Sequence, residues 1–73
     1  MIINPESNMH PATAQLLGFF ATDHLPPHLA EVVVPFRELA ERVAAGPANA
    51  ETTTALRKLL ESKDCAVRAR IVQ

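Results

Sequence analysis

The stretch Asp23-His24-Leu25-Pro26-Pro27-His28-Leu29 decides the fold of this 73-residue chain. Each proline fixes its own φ and pushes the preceding residue out of helical geometry, so a helix must begin near Pro27. Apolar residues then recur at three- and four-residue steps, at Leu29, Val32, Val33, Phe36, Leu39, Ala40 and Val43. This stripe predicts a helix over residues 26–45 with one buried face. Pro35 removes a backbone donor within it and predicts a kink near Val34.

A second helix follows the turn signal Gly46-Pro47. Asn49 is a suitable N-cap, and Glu51 places an acid in the first turn, where the helix dipole favours it. The apolar positions keep the helical period at Leu56, Leu59, Leu60, Val67 and Ile71. We assign this helix to residues 49–71. A short loop between two such helices predicts an antiparallel helical hairpin.

The N-terminal residues 1–18 are interpreted as an arm of the same domain. One or two helical turns are expected around Ala14-Gln15-Leu16-Leu17, with Thr13 as the cap and Gly18 as the stop, their apolar side packed on the hairpin. The fold class is therefore all-α, with residues 1–73 forming one helical hairpin domain. Because so short a chain buries little surface by itself, we expect a homo-oligomer.

Lys63 is unusual because it lies between Leu60 and Val67 in the apolar stripe of the second helix. An unpaired buried ammonium is costly, and the facing stripe of the first helix offers no acid. Three interpretations stay open. The stem packs while the amine reaches water, the amine forms an ion pair across a subunit contact, or it meets a ligand phosphate in a cavity between protomers.

Composition restricts the partners. Net charge is −1, but residues 52–73 are locally basic, with Arg57, Lys58, Lys63, Arg68 and Arg70. So short a basic cluster on an acidic chain disfavours long nucleic acid and leaves a small anionic ligand open. The four-residue pairs Arg57–Glu61 and Asp64–Arg68 would also suit a solvated face. No stretch predicts a membrane span or a signal peptide, and Cys65 stands alone, so a cytoplasmic protein is expected.

The sequence argues against an enzyme or a metal protein. His24 and His28 have the spacing of a helical ligand pair, but the prolines between them prevent the regular helix that would align the rings. No nucleophile has an adjacent base, and there is no paired-carboxylate motif or glycine-rich phosphate loop. We expect no cofactor, no metal and no catalytic residue.

Two blocks and their flanking residues resemble a known family. They are Phe20, Asp23–Leu29, Val33, Pro35, Phe36, Leu39 and Ala40, then Glu51, Thr53, Ala55–Glu61, Lys63, Asp64 and Ala66–Ala69. On these residues the chain closely resembles small proteins of actinobacteriophages and their hosts, in the hairpin-domain family of phage anti-CBASS and anti-Thoeris cyclic-nucleotide sponges. The resemblance covers about residues 16–70.

The resemblance implies a homo-oligomer, commonly a hexamer, whose inter-protomer pockets capture signals made by bacterial defence cyclases. The ligands would be cyclic dinucleotides, such as cyclic GMP-AMP, and sometimes cyclic trinucleotides. They are sequestered without cleavage, which blocks CBASS-type defence. In relatives an aromatic residue, usually tyrosine, near the start of the hairpin stacks on a base. Here Thr22 or Asp23 stands in its place, which leaves Phe20 or His24 as substitutes.

The candidate ligand-binding residues are accordingly Phe20, His24, Pro26, Arg37, Thr53, Arg57, Lys58 and Lys63. The aromatic rings would stack on bases against the first proline, the basic side chains would hold phosphates, and threonine hydroxyls, with Thr54 a further one, would donate near the first turn of the second helix. Phe19 and Phe20 also fit a purely structural role in the core or an interface.

The alternative function is a plain interaction module. In that interpretation the hairpin oligomerises or docks on a partner helix through leftover apolar surface, while the basic residues solvate its outside. Such a module would be indifferent to nucleotides and would lose affinity when Phe36 or Leu56 is truncated.

Overall fold

A computed structural model describes residues 10–72 of the chain. In these residues it contains three helices and no strand: α1 is Pro11–Gly18, α2 is Pro27–Ala44 and α3 is Ala50–Ile71. The predicted all-α class is confirmed for this part of the chain. None of these three helices combines the length and the apolar character needed to cross a membrane.

Helix α1 begins one turn earlier than the sequence indicated. His10 is its N-cap, because its Nδ1 accepts a hydrogen bond from the backbone N–H of Ala12 at 3.1 Å, and Pro11 occupies the first turn. The prediction of Thr13 as the cap is wrong, since Thr13 lies inside the helix and is buried. The predicted stop is confirmed, because Gly18 is the last helical residue.

Helix α2 starts at Pro27, with Pro26 in extended geometry before it and no side-chain capping bond. The missing N–H of a proline costs nothing in a first turn, which explains the start. The helix continues unbroken through Pro35 to Ala44, one residue shorter at each end than the predicted span. A bend of its axis near Val34 stays a prediction.

Helix α3 has the predicted cap. The Asn49 side chain accepts a hydrogen bond from the backbone N–H of Thr52 at 3.0 Å, and the Thr52 hydroxyl donates to the carbonyl of Pro47. Glu51 lies in the first turn and Arg68 and Arg70 in the last, so charges of both signs complement the helix dipole.

The core lies where the three helices meet. Phe20, Ala40 and Leu56 are fully buried at its centre, and Val33 is nearly so. Partly buried apolar residues surround the first three: Leu16, Leu17, Phe36, Val43, Ala44, Leu59 and Leu60. Thus α1 packs its apolar side on the other helices, as predicted for this part of the arm, whereas residues 1–9 of the arm lie outside the described residues. The most extensive contact is between α2 and α3.

Candidate functional site

Lys63 has an intramolecular partner that the sequence interpretation missed. Its Nζ lies 2.7 Å from Oδ1 of Asp64, the next residue, and 5.8 Å from the ring centroid of Phe20. The lysine side chain is 12% exposed. The ammonium is thus stabilised by a carboxylate and by the face of a buried aromatic ring. Neighbouring residues on a helix do not ordinarily face each other, which is why this pair could not be predicted from the sequence.

Phe20 belongs to the core and not to an open binding surface. Its side chain has no exposed area, and it lies in the turn between α1 and α2 among the surrounding leucines. A base could reach the ring only if the core opened, so its prediction as a stacking platform does not fit this structure. The other interpretation of Phe20, a structural role in the core, does fit this burial.

Arg37 ties α2 to the loop before it. Its Nη1 donates to the Thr22 hydroxyl at 2.9 Å, and its Nε lies 3.5 Å from a carboxylate oxygen of Glu41. The arginine therefore fixes the loop that carries His24 and Pro26. These two contacts use at most two of the five N–H groups of the guanidinium, so the others could still donate to a phosphate. The sequence suggests Thr22 only as a residue in the place of a tyrosine, and no sequence signal points to its hydrogen bond.

His24 and Pro26 lie in that same loop, and both are exposed. Nδ1 of His24 is 3.9 Å from Oδ1 of Asp23. Both side chains are mostly in water, so this contact holds the ring only weakly. Among the residues that the structure describes, no group of three or more histidine, cysteine, aspartate or glutamate side chains could hold a metal ion.

Thr53 and Thr54 lie in the first turns of α3. The Thr53 hydroxyl is 3.4 Å from the Asn49 carbonyl, to which it donates a long hydrogen bond. Thr54 is exposed. Since a hydroxyl donates only one hydrogen bond at a time, Thr53 would have to release this contact in order to donate to a ligand.

Arg57 and Lys58 are exposed on the outside of α3. Lys58 Nζ lies 3.9 Å from Oε2 of Glu61, so the four-residue pair Arg57–Glu61 predicted from the sequence is replaced by a three-residue pair. Within residues 10–72 the Arg57 guanidinium has no ion-pair partner. It is the basic candidate most available to a ligand.

The second predicted pair, Asp64–Arg68, is also absent among the described residues. Asp64 pairs with Lys63 instead, and Nη2 of Arg68 donates to the exposed Cys65 sulfur at 3.3 Å. Both corrections have one cause, because several spacings bring long side chains on a helix within reach and the sequence does not say which rotamers are chosen.

The basic candidates on α3 point in different directions. With about 100° of rotation per residue, Lys58 and Lys63 are about 140° apart around the helix axis, and Arg57 and Lys63 about 120° apart. A single chain therefore brings together Phe20 with Lys63 and Thr22 with Arg37. It does not bring the three α3 cations to one point.

Comparisons of the chain with family models, with curated proteins and with solved structures gave no match.

Proposed function

We propose that this chain is a phage-type sponge that binds cyclic di- and trinucleotide signals without cleaving them. In this proposal an antiparallel pairing of α2 and α3 forms the hairpin, copies of the chain assemble into a homo-oligomer of hexamer size, and the protein works in the host cytoplasm. The proposal rests on the family resemblance of residues 16–70 and on the availability of one cation.

The observation that carries the proposal is the state of Arg57. Its guanidinium is exposed and has no ion-pair partner within residues 10–72, and Thr53 lies one turn earlier on the same side of α3. A guanidinium offers paired donors that match the geometry of a phosphate. Among the described residues no carboxylate would have to be displaced before Arg57 binds a phosphodiester.

The site of the proposed sponge would lie between copies. Because Arg57, Lys58 and Lys63 diverge around α3, one cyclic dinucleotide with two phosphates would draw its cations from more than one protomer. A shared site also gives less than one ligand per chain. This stoichiometry separates the proposal from a simple surface contact.

His24 takes the base-stacking role in this proposal. The His24 ring is 68% exposed and lies next to the rigid Pro26-Pro27 step, whereas the Phe20 ring is enclosed. Arg37 contributes by holding the loop through Thr22. Stacking of a base on an accessible ring is worth about 1–3 kcal/mol, so loss of the histidine ring should be visible in the affinity.

Isothermal titration of the full chain against a panel of cyclic di- and trinucleotides tests the proposal. We expect tight binding at a fraction of one ligand per chain, a loss of affinity of at least about tenfold for Arg57→Ala, and no change for Arg68→Ala. The control arginine lies on the same helix, three turns further on. Absence of binding to every nucleotide of the panel, or equal affinity of the parent and Arg57→Ala, would contradict the proposed sponge function.

A second candidate is the interaction module without nucleotide binding. The observation in its favour is the apolar surface that α2 leaves open, where Leu39 is 47% exposed although it belongs to the apolar stripe of that helix. This candidate predicts self-association or partner binding that is unaffected by cyclic nucleotides and by Arg57→Ala.

A further inference from the structure

The outer face of α2 carries a groove with a mixed apolar and charged lining. Pro35, Glu38, Leu39 and Arg42 line it, and its volume is about 280 Å³. At about 100° per residue these four positions fall within about 100° of one another, and Ala40, in the core, lies on the far side of the helix. The groove is therefore an exposed surface separate from the core, and no residue of α3 lines it.

The two charges of this face form no ion pair with any side chain of residues 10–72. Glu38 precedes Arg42 by four residues, the spacing and order that favour an ion pair along a helix. Nevertheless no ion pair joins them within residues 10–72, while the adjacent Arg37 and Glu41 do approach each other. One acid and one base thus flank an exposed leucine.

We propose that this face of α2 is the contact between two copies of the chain, which pack antiparallel about a two-fold axis at the level of residue 40. With a rise of about 1.5 Å per residue, Glu38 and Arg42 lie about 3 Å on either side of that level. Glu38 of each copy then faces Arg42 of the other, and the two Leu39 side chains meet beside the axis. The surface is complementary to itself, as a two-fold contact requires.

The charge arrangement is what selects a second copy as the occupant. A parallel pairing would place like charges opposite each other, whereas the antiparallel pairing gives two opposite-charge contacts and covers the exposed Leu39. This inference rests on the self-association in the proposed function, but it does not depend on nucleotide binding. The two can therefore fail separately.

Sedimentation equilibrium of the full chain, without nucleotide, measures the contact. We expect association that depends on concentration and weakens as salt is raised, because the charged pairs are at the rim of the contact. Leu39→Asp should weaken it by at least about tenfold, since it places two carboxylates beside the axis. Ile71→Asp is the matched control, because Ile71 is an exposed apolar residue on α3 and should leave association unchanged.

A charge exchange gives the decisive measurement. Glu38→Arg makes the face basic and Arg42→Glu makes it acidic, so each variant alone should associate at least about tenfold more weakly than the parent. Mixed in equal amounts, the two variants should form a heterodimer that restores both opposite-charge contacts. Circular dichroism of each variant establishes that it is folded.

The mixing result separates this contact from an ion pair within one helix. A pair within α2 cannot be restored by adding a different chain, whereas a contact between copies can. Recovery of association on mixing supports the proposal. A parent that is monomeric at every concentration, or association that is unaffected by Leu39→Asp and by both reversals, overturns it, and nucleotide binding by such a protein would still leave the proposed sponge intact.

Discussion

Arg70 and Glu31 are 39 residues apart in the sequence, yet Nη1 of the arginine lies 3.5 Å from Oε1 of the glutamate. The same nitrogen donates to the carbonyl of His28 at 3.3 Å. These contacts join the last turn of α3 to the first turns of α2. They fix which ends of the two helices are neighbours, while the buried leucine and alanine side chains supply the attraction.

Removal of this contact should lower the free energy of unfolding by a small but measurable amount. Arg70→Ala is expected to lower the free energy of unfolding by about 0.5–1 kcal/mol, since the ion pair is partly exposed and only the hydrogen bond to the carbonyl adds to it. Arg68→Ala is the control, because it removes a cation from the same helix end without touching α2. Equal losses in urea unfolding would mean that the helix dipole, and not the interhelical contact, accounts for the effect.

Truncation of the two adjacent phenylalanines should lower the stability by very different amounts. Phe20 is fully buried and Phe19 is 56% exposed. Phe20→Ala should cost about 3–5 kcal/mol through the cavity it leaves, which is comparable with the whole stability of so small a chain. Phe19→Ala should cost well under that, and thermal unfolding followed by circular dichroism compares them. Similar losses for both variants would contradict the assigned core.

The main helices could be read from the sequence because their boundaries depend on local chemistry. A double proline cannot lie inside a helix, and an asparagine side chain can satisfy a free N–H only at a helix start. Pro27 and Asn49 are the residues concerned, and the structure uses both in these roles. The start of α1 is harder to predict, because the side chains of His10 and Thr13 can both accept a hydrogen bond as an N-cap. Only tertiary packing, which buries the threonine, decides between them.

The candidate site could not be derived in the same way. Whether Phe20 faces a ligand or the core depends on how α1 folds back on the other helices, and this is set by packing and not by sequence spacing. The partner of Lys63 depends on one side-chain rotamer. The sequence therefore identified the residues with unusual chemistry but not which of them are already engaged.

The cap of α3 provides a local test of stability. Asn49→Ala should cost about 1 kcal/mol, because the backbone N–H of Thr52 loses its acceptor. Asn49→Asp should cost nothing or stabilise, since a carboxylate keeps the acceptor and adds a favourable charge at the start of the helix. Denaturant unfolding of the three proteins decides the point. A loss of stability in the aspartate variant as large as in the alanine variant would contradict the assigned cap.

Lys63 can be tested for structure and for binding in one series. Lys63→Met keeps the stem in the stripe and removes the charge, while Asp64 stays 45% exposed and can be hydrated. We expect a change in unfolding free energy of about 1 kcal/mol or less. The double variant with Phe20→Leu should show a coupling of about 0.5–1 kcal/mol between ring and ammonium.

Lys58→Met is the control in this series, because Lys58 is well exposed and distant around the helix from the ring. Zero coupling between residues 20 and 63 would mean that the cation–π contact does not contribute to stability. Once Lys63→Met is shown to be folded, titration with cyclic nucleotides shows whether the lysine binds the ligand. Unchanged affinity would mean that its ammonium serves the fold, whereas a loss of about tenfold or more would mean that it leaves Asp64 to meet a phosphate.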